Sequence, residues 1–264
     1  MFEKMKKITK FFLNVTSVGS ILSIATLNAF QLTVVGQPTP NVDGQPITQP
    51  GRVRFVGPSE DKLSSPNYRQ RGGIRCRPKC DDNRKLKALV PESQIGLTVS
   101  EYPVFFFYLP KTDAPLAEFA LEDEKGNFIY ETTLKINNPP GVMSVSIPAN
   151  KKVPPLEAGK SYRGSIALIC DHEDRSADAV VTAIVRRVEL SADILRELDA
   201  ADPRQKTVIY AENGIWQDTL GTLAAARRAN PNDTDLAADW KSLLESVKLG
   251  EIAAEPMLPI EPQP

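Results

Sequence analysis

From Lys87 onward, apolar residues arrive in short runs separated by turn signals: KALVP, IGLTVS, PVFFFYLP, LAEFALED, NFIYETTLKI, GVMSVSIP, SYRGSIALIC and ADAVVTAIVRRVEL. Eight short strands at this spacing predict an all-β sandwich over residues 86–190. In LAEFALED, Ala117, Phe119 and Leu121 alternate with Glu118 and Glu122. In NFIYETTLKI, Phe128, Tyr130, Leu134 and Ile136 oppose Glu131, Thr133 and Lys135. Both read as strands with one wet face. VFFFYL is apolar on both faces, with Val104, Phe106 and Tyr108 on one and Phe105, Phe107 and Leu109 on the other. SIALIC and VVTAIV behave the same way. A sandwich buries one face of each, so a further layer is expected over the other.

PLEAGKSY sharpens the fold class. Leu156, Gly159 and Tyr162 stand in the order that precedes the sixth strand of fibronectin- and immunoglobulin-like antiparallel sandwiches, where the tyrosine hydroxyl bonds back to upstream backbone. The letters GKS do not make a phosphate loop, because the first glycine of that motif would fall on Pro154.

The pattern then changes period. Ser191 is placed to cap a helix bearing Ile194, Leu195 and Leu198, and Asp202-Pro203 opens a second. Asn213-Gly214 breaks the chain. A third helix carries Trp216, Leu220 and Leu223 and ends with Arg227 and Arg228, whose charges suit a helix C-terminus. Asp233 starts a fourth, with Leu236, Trp240, Leu243 and Leu244 on one stripe, and Gly250 ends it. The stretch 210–233 resembles a tetratricopeptide-type hairpin, but no second copy appears. Ordering about 60 residues costs roughly 90 kcal/mol of conformational entropy, which a lone hairpin does not recover from its own inner stripe. Residues 191–250 are therefore expected to lie as a lid on the sandwich. Trp216, Leu220, Leu223, Leu236, Trp240 and Leu244 would meet Phe105 and Phe107. The proline-rich residues 251–264 read as a flexible tail.

The N-terminal pattern is different again. Lys4, Lys6, Lys7 and Lys10 precede the apolar run FFLNVTSVGSILSIATLNAF, the layout of a secretory signal peptide over 1–36, with cleavage expected after Ala29 or Gly36. Residues 37–85 are rich in proline, glycine and arginine and read as a linker or strap. Within them, 51–57 reads as an added edge strand, and Arg69, Arg71, Arg75 and Arg77 as a solvated basic loop. Export makes the 3 cysteines legible. An oxidising compartment favours a disulfide from Cys170 to Cys76 or Cys80, with a vicinal Cys76–Cys80 bridge as the competitor.

Charge and histidine content remove whole classes of function. Lys+Arg total 32 against Asp+Glu 33, so there is no basic footprint for nucleic acid. His172 is the single histidine, which leaves little room for triad or multi-histidine metal chemistry. No catalytic set and no cofactor is expected. The nearest approach to a metal site is Asp171, His172 and Asp174 in CDHEDRSAD, whose spacing matches no known calcium loop and is explained by a polar turn. The FFFY aromatics read as core, not as a sugar platform.

Several of these stretches together resemble one family: RGGIRC, ALVPESQIGLTVSEYPVFFFYLP, EFALEDEKGNFIY, LEAGKSYRGSIALIC, RRVEL, YAENGIWQDTLGTLAAARRANP and WKSLL. The chain resembles, over roughly residues 51–253, exported cyanobacterial proteins known as domain of unknown function 928. The resemblance implies export and no reaction. It favours Cys76, within RGGIRC, as the partner of Cys170. Two departures, Gly164 where the family tends to hold an aromatic and the lack of tryptophan in FFFY, are expected to loosen local packing. The reading that follows is an exported, non-catalytic binding protein of the periplasm or cell envelope. It would have an envelope protein or polysaccharide as partner and no membrane span after cleavage. The rival is a carbohydrate-binding or carboxylate-dependent polysaccharide-active protein.

Overall fold

A computed structural model describes residues 52–58 and 86–259, apart from 94, 138 and 151. The expected signal peptide, Cys76, Cys80 and the arginines 69–77 lie outside the described residues. All eight expected strands form: β1 (Lys87–Ala88), β2 (Ile95–Thr98), β3 (Val104–Leu109), β4 (Leu116–Glu122), β5 (Phe128–Lys135), β6 (Gly141–Ser146), β7 (Ser161–Ile169) and β8 (Ala179–Arg187). They make a two-sheet sandwich, one sheet ordered β1-β3-β6 and the other β2-β8-β7-β4-β5. Among the described strand pairs, one departs from the antiparallel expectation: β2 runs parallel to β8. The chain switches sheets between β1 and β2, so no hairpin reversal fixes the direction of β2.

The core between the sheets shows which face of β3 is which. Phe105, Phe107 and Leu109 point inward and pack with Phe119, Leu121, Ile166, Leu168 and Val185. Phe119 stands 5.2 Å from the Phe105 ring and 6.1 Å from Phe107. The assignment of Phe105 and Phe107 to the helix–sheet interface is therefore corrected. Phe106, with Val104 and Tyr108 beside it, meets the helices instead. The deciding contact is at Gly164 on the opposite sheet. A Cβ there would lie 2.4 Å from the Phe105 ring, so the glycine makes room for the phenyl group and tightens packing where loosening was expected.

Four helices follow: α1 (Ala192–Ala200), α2 (Pro203–Glu212), α3 (Trp216–Ala229) and α4 (Thr234–Ser246). Their starts are written in the side chains. Ser191 Oγ accepts from the Ile194 N–H, and Asp233 Oδ1 accepts from those of Asp235 and Leu236. Asp202 caps α2 while Gln205 Oε1 accepts from the Asp202 N–H at 2.9 Å, closing a capping box. Gly214, at φ +72°, turns the chain from α2 into α3 in a conformation that favours glycine.

The apolar stripes of α3 and α4 form a second core with Val53, Leu89, Phe106 and Val142. The lid thus covers the outer face of the three-stranded sheet. The outer side of β7 and β8, also expected to need a cover, stays partly open. Val180 is 46% exposed, and Ser165 and Thr182 share a hydrogen bond at the surface. The physical reason is size: Ala167, Ser165 and Thr182 bury too little apolar surface there to demand a layer.

Both flanking segments are tied down. Residues 52–58 add no strand; they run extended over the helices, with the Phe55 ring 5.0 Å from Trp216 and the Val56 N–H donating to Ala211 O. The tail is docked through residue 258, against the expectation of a loose end. Ile252 and Leu258 are buried, and Val142 exchanges backbone hydrogen bonds with Pro256 and Leu258. A Cβ at Gly141 would fall 2.7 Å from the Pro256 carbonyl, so glycine permits this approach.

Candidate functional site

The corner residues meet as their spacing requires. Leu156 is buried, Gly159 adopts φ +79°, and the Glu157 N–H donates to the Tyr162 hydroxyl oxygen at 2.8 Å. This locks the turn into β7.

The acidic loop after β7 is used up in local structure. Asp171 Oδ1 accepts from the Glu173 N–H, and Asp174 Oδ1 accepts from the Ser176 N–H and hydroxyl. Arg175 pairs with Asp178 and Glu118, and Asp178 also accepts from the Cys170 N–H at 3.2 Å. Asp171, His172 and Asp174 are not drawn together; among the described residues, no three His, Cys, Asp or Glu side chains converge as metal ligands. The candidate partners of half-buried Cys170 lie outside the described residues.

Near Gly159 lies an open depression of about 580 Å³, between Pro58, Leu97 and Val188, with Arg186 and Glu189 at its side. The more telling arrangement is at the far end of α3. Arg228 Nη2 donates to Ser144 Oγ on β6 at 2.9 Å. Arg227 lays its guanidinium 5.1 Å from the centroid of the Trp240 ring. Both arginines are half-buried, and among the described residues neither has a carboxylate partner. Among the described residues, Arg227 Nη1 and Trp240 Nε1 are buried donors without an acceptor. Burial pulls both guanidiniums below the ordinary arginine value, with no opposing charge to hold them up.

The contrast with other buried polar groups is informative. Trp216 Nε1 donates to Leu89 O at 2.8 Å, and Gln217 Nε2 to Val104 O at 3.0 Å. Asp239, fully buried, stands between Arg204 at 2.9 Å and Arg52 at 3.6 Å. Asp218 accepts from the Thr98 hydroxyl and the Val99 N–H, yet burial still raises its pKa. Asp239 is thus paired with two arginines, and Asp218 is held by two hydrogen bonds. At the end of α3 two cations lie side by side with, among the described residues, one hydroxyl acceptor and no carboxylate, which is the composition of an anion site. In sequence, Arg227 and Arg228 read only as complements to a helix C-terminus. The signal that could have marked them is the absence of an acidic residue at helical spacing on α3 beyond Asp218.

A family model described as Domain of Unknown Function (DUF928) matches residues 69–257. The chain belongs to this family. The matched span of this DUF928 chain takes in all eight strands, the four helices and the arginine pair. No curated protein matches the DUF928 chain in sequence. Among its described residues, no helix is long and apolar enough to cross a membrane.

Proposed function

We propose that this chain is an exported, non-catalytic binding protein of the cell envelope, and that its ligand presents a carboxylate, sulfate or phosphate group to Arg227 and Arg228. The observation that carries the reading is the uncompensated guanidinium pair beside the Ser144 hydroxyl and the Trp240 ring. Half-buried cations without counter-charge are costly, and an anionic ligand would relieve that cost on binding. Trp240, fully buried, holds the Arg227 guanidinium by a cation–π contact and so fixes its position. The scaffold would be a fibronectin- or immunoglobulin-like sandwich. The strand orders of the two sheets, the parallel edge strand β2 and the Tyr162 corner support that finer assignment. The lysine-rich head and the apolar run after it support export, and Cys170 would then be one end of a disulfide.

Isothermal titration with inorganic sulfate and with polygalacturonate tests the site. Binding that weakens roughly tenfold or more in Arg228→Ala and Arg227→Ala supports the reading. Absence of binding to both probes, together with an envelope pull-down unchanged by the double variant, would overturn it.

A further inference from the structure

Strand β5 closes one edge of the five-stranded sheet; among the described residues it pairs only with β4. The Ile136 N–H bonds to Pro115 O, and antiparallel pairs alternate. Tyr130, Thr132 and Leu134 therefore turn their backbone groups toward β4, and Glu131, Thr133 and Lys135 turn theirs outward. The side chains of these last three are exposed and share the outer face. Among the described residues, neither Glu131 nor Lys135 has an ion-pair partner. Natural edge strands are protected by proline, bulges, brevity or charged side chains, and the two charges on β5, Glu131 and Lys135, are of opposite sign. This one is eight residues long, has no proline, and its one register irregularity lies at the hairpin end beside Phe128.

We infer that β5 is the docking edge for a second copy of this chain, paired antiparallel about Thr133 so that Glu131 of each copy meets Lys135 of the other. The sequence Glu-x-Thr-x-Lys is complementary to itself in that one register. Outward-facing residues pair only with outward-facing residues, so the copies slide only in steps of two. A slide of two breaks both ion pairs. A slide of four sets Glu131 on Glu131 or Lys135 on Lys135. The same register brings Thr132 opposite Leu134 on the inner face, extending the sandwich core across the two-fold axis. The result is a continuous ten-stranded sheet with both three-stranded sheets, and the helical lids beyond them, on one side of it.

A single strand pair buries less than a standard interface, so association is weak and is measured up to several hundred micromolar. Sedimentation equilibrium of the purified chain should show a reversible dimer. Glu131→Lys and Lys135→Glu each place like charges opposite one another twice and should weaken it roughly tenfold. An equimolar mixture of the two variants restores both attractions and should dimerise again. Thr133→Pro removes only an outward N–H and should leave a folded monomer. Both charge variants are at exposed positions, so an unchanged melting temperature shows that folding is intact. A wild-type chain that stays monomeric throughout, a dimer indifferent to Thr133→Pro, or a mixture that fails to recover would overturn the inference.

Discussion

The indole N–H of Trp216 donates to the carbonyl of Leu89 at 2.8 Å, joining the first residue of α3 to the loop after β1. Trp216 is fully buried, touched by Phe55 from the strap side, so one side chain ties three segments together. Trp216→Ala should cost about 3–5 kcal/mol in chemical denaturation. Truncation before Ser191 should expose Phe106 and Val142 and give dye-binding, aggregation-prone material. A truncated sandwich that stays monomeric and melts at nearly the original temperature would show that the helices are not a lid.

Gly164 faces the Phe105 ring with no room for a methyl group. Gly164→Ala should destabilise by about 1–3 kcal/mol through overpacking, and adding Phe105→Leu should recover part of that loss. Additive losses in the double variant would mean the two positions do not share the space.

Asp218 carries a raised pKa because burial outweighs the hydrogen bonds from Thr98 and Val99. Its protonated form is favoured in the fold, so its contribution to stability is full below the ordinary aspartate value of 3.8 and is lost as pH rises through the raised one. Urea melts across this acid range should show that decline in the wild-type chain and not in Asp218→Asn. Parallel pH profiles would remove Asp218 as the cause.

The cysteine reading is tested on protein recovered from its own host. Terminal sequencing should place the start of the mature chain between about residues 30 and 38. Non-reducing peptide maps should link Cys170 to Cys76 or, failing that, Cys80. Closing a loop of about 90 residues is worth roughly 4–5 kcal/mol in the chain-entropy model. Free thiols at all three positions in exported material would defeat the bridge.

The eight strands and four α-helices were legible from periodicity, and Ser191, Asp202 and Asp233 announce three of the helix starts. The inward face of β3 was not. Both triads of VFFFYL are equally apolar, and only the gap at Gly164, sixty residues away in sequence by rough count, selects Phe105 and Phe107 for the inner core. The sheet chosen by the lid was hidden for a related reason: alanine reads as apolar but demands little cover, so β7 and β8 looked needier than they are. The docked tail was masked by its prolines, whose backbone still offers the carbonyl that Val142 takes. The candidate site was legible only in part. Two adjacent arginines are visible in any sequence, whereas their lack of a counter-charge depends on what the fold brings near.

The strap sets a schedule. Arg52 reaches Asp235 across 183 positions, and the Phe55 N–H donates to Ser246 across 191. These are among the longest loops the chain closes, and closure entropy must be met before either contact rewards it. The Arg52 guanidinium and the Phe55 N–H therefore do not meet these partners until α4 has been made. If the chain crosses a membrane head first, residues 52–58 emerge early and wait, and the fold completes only after nearly the whole polypeptide has followed.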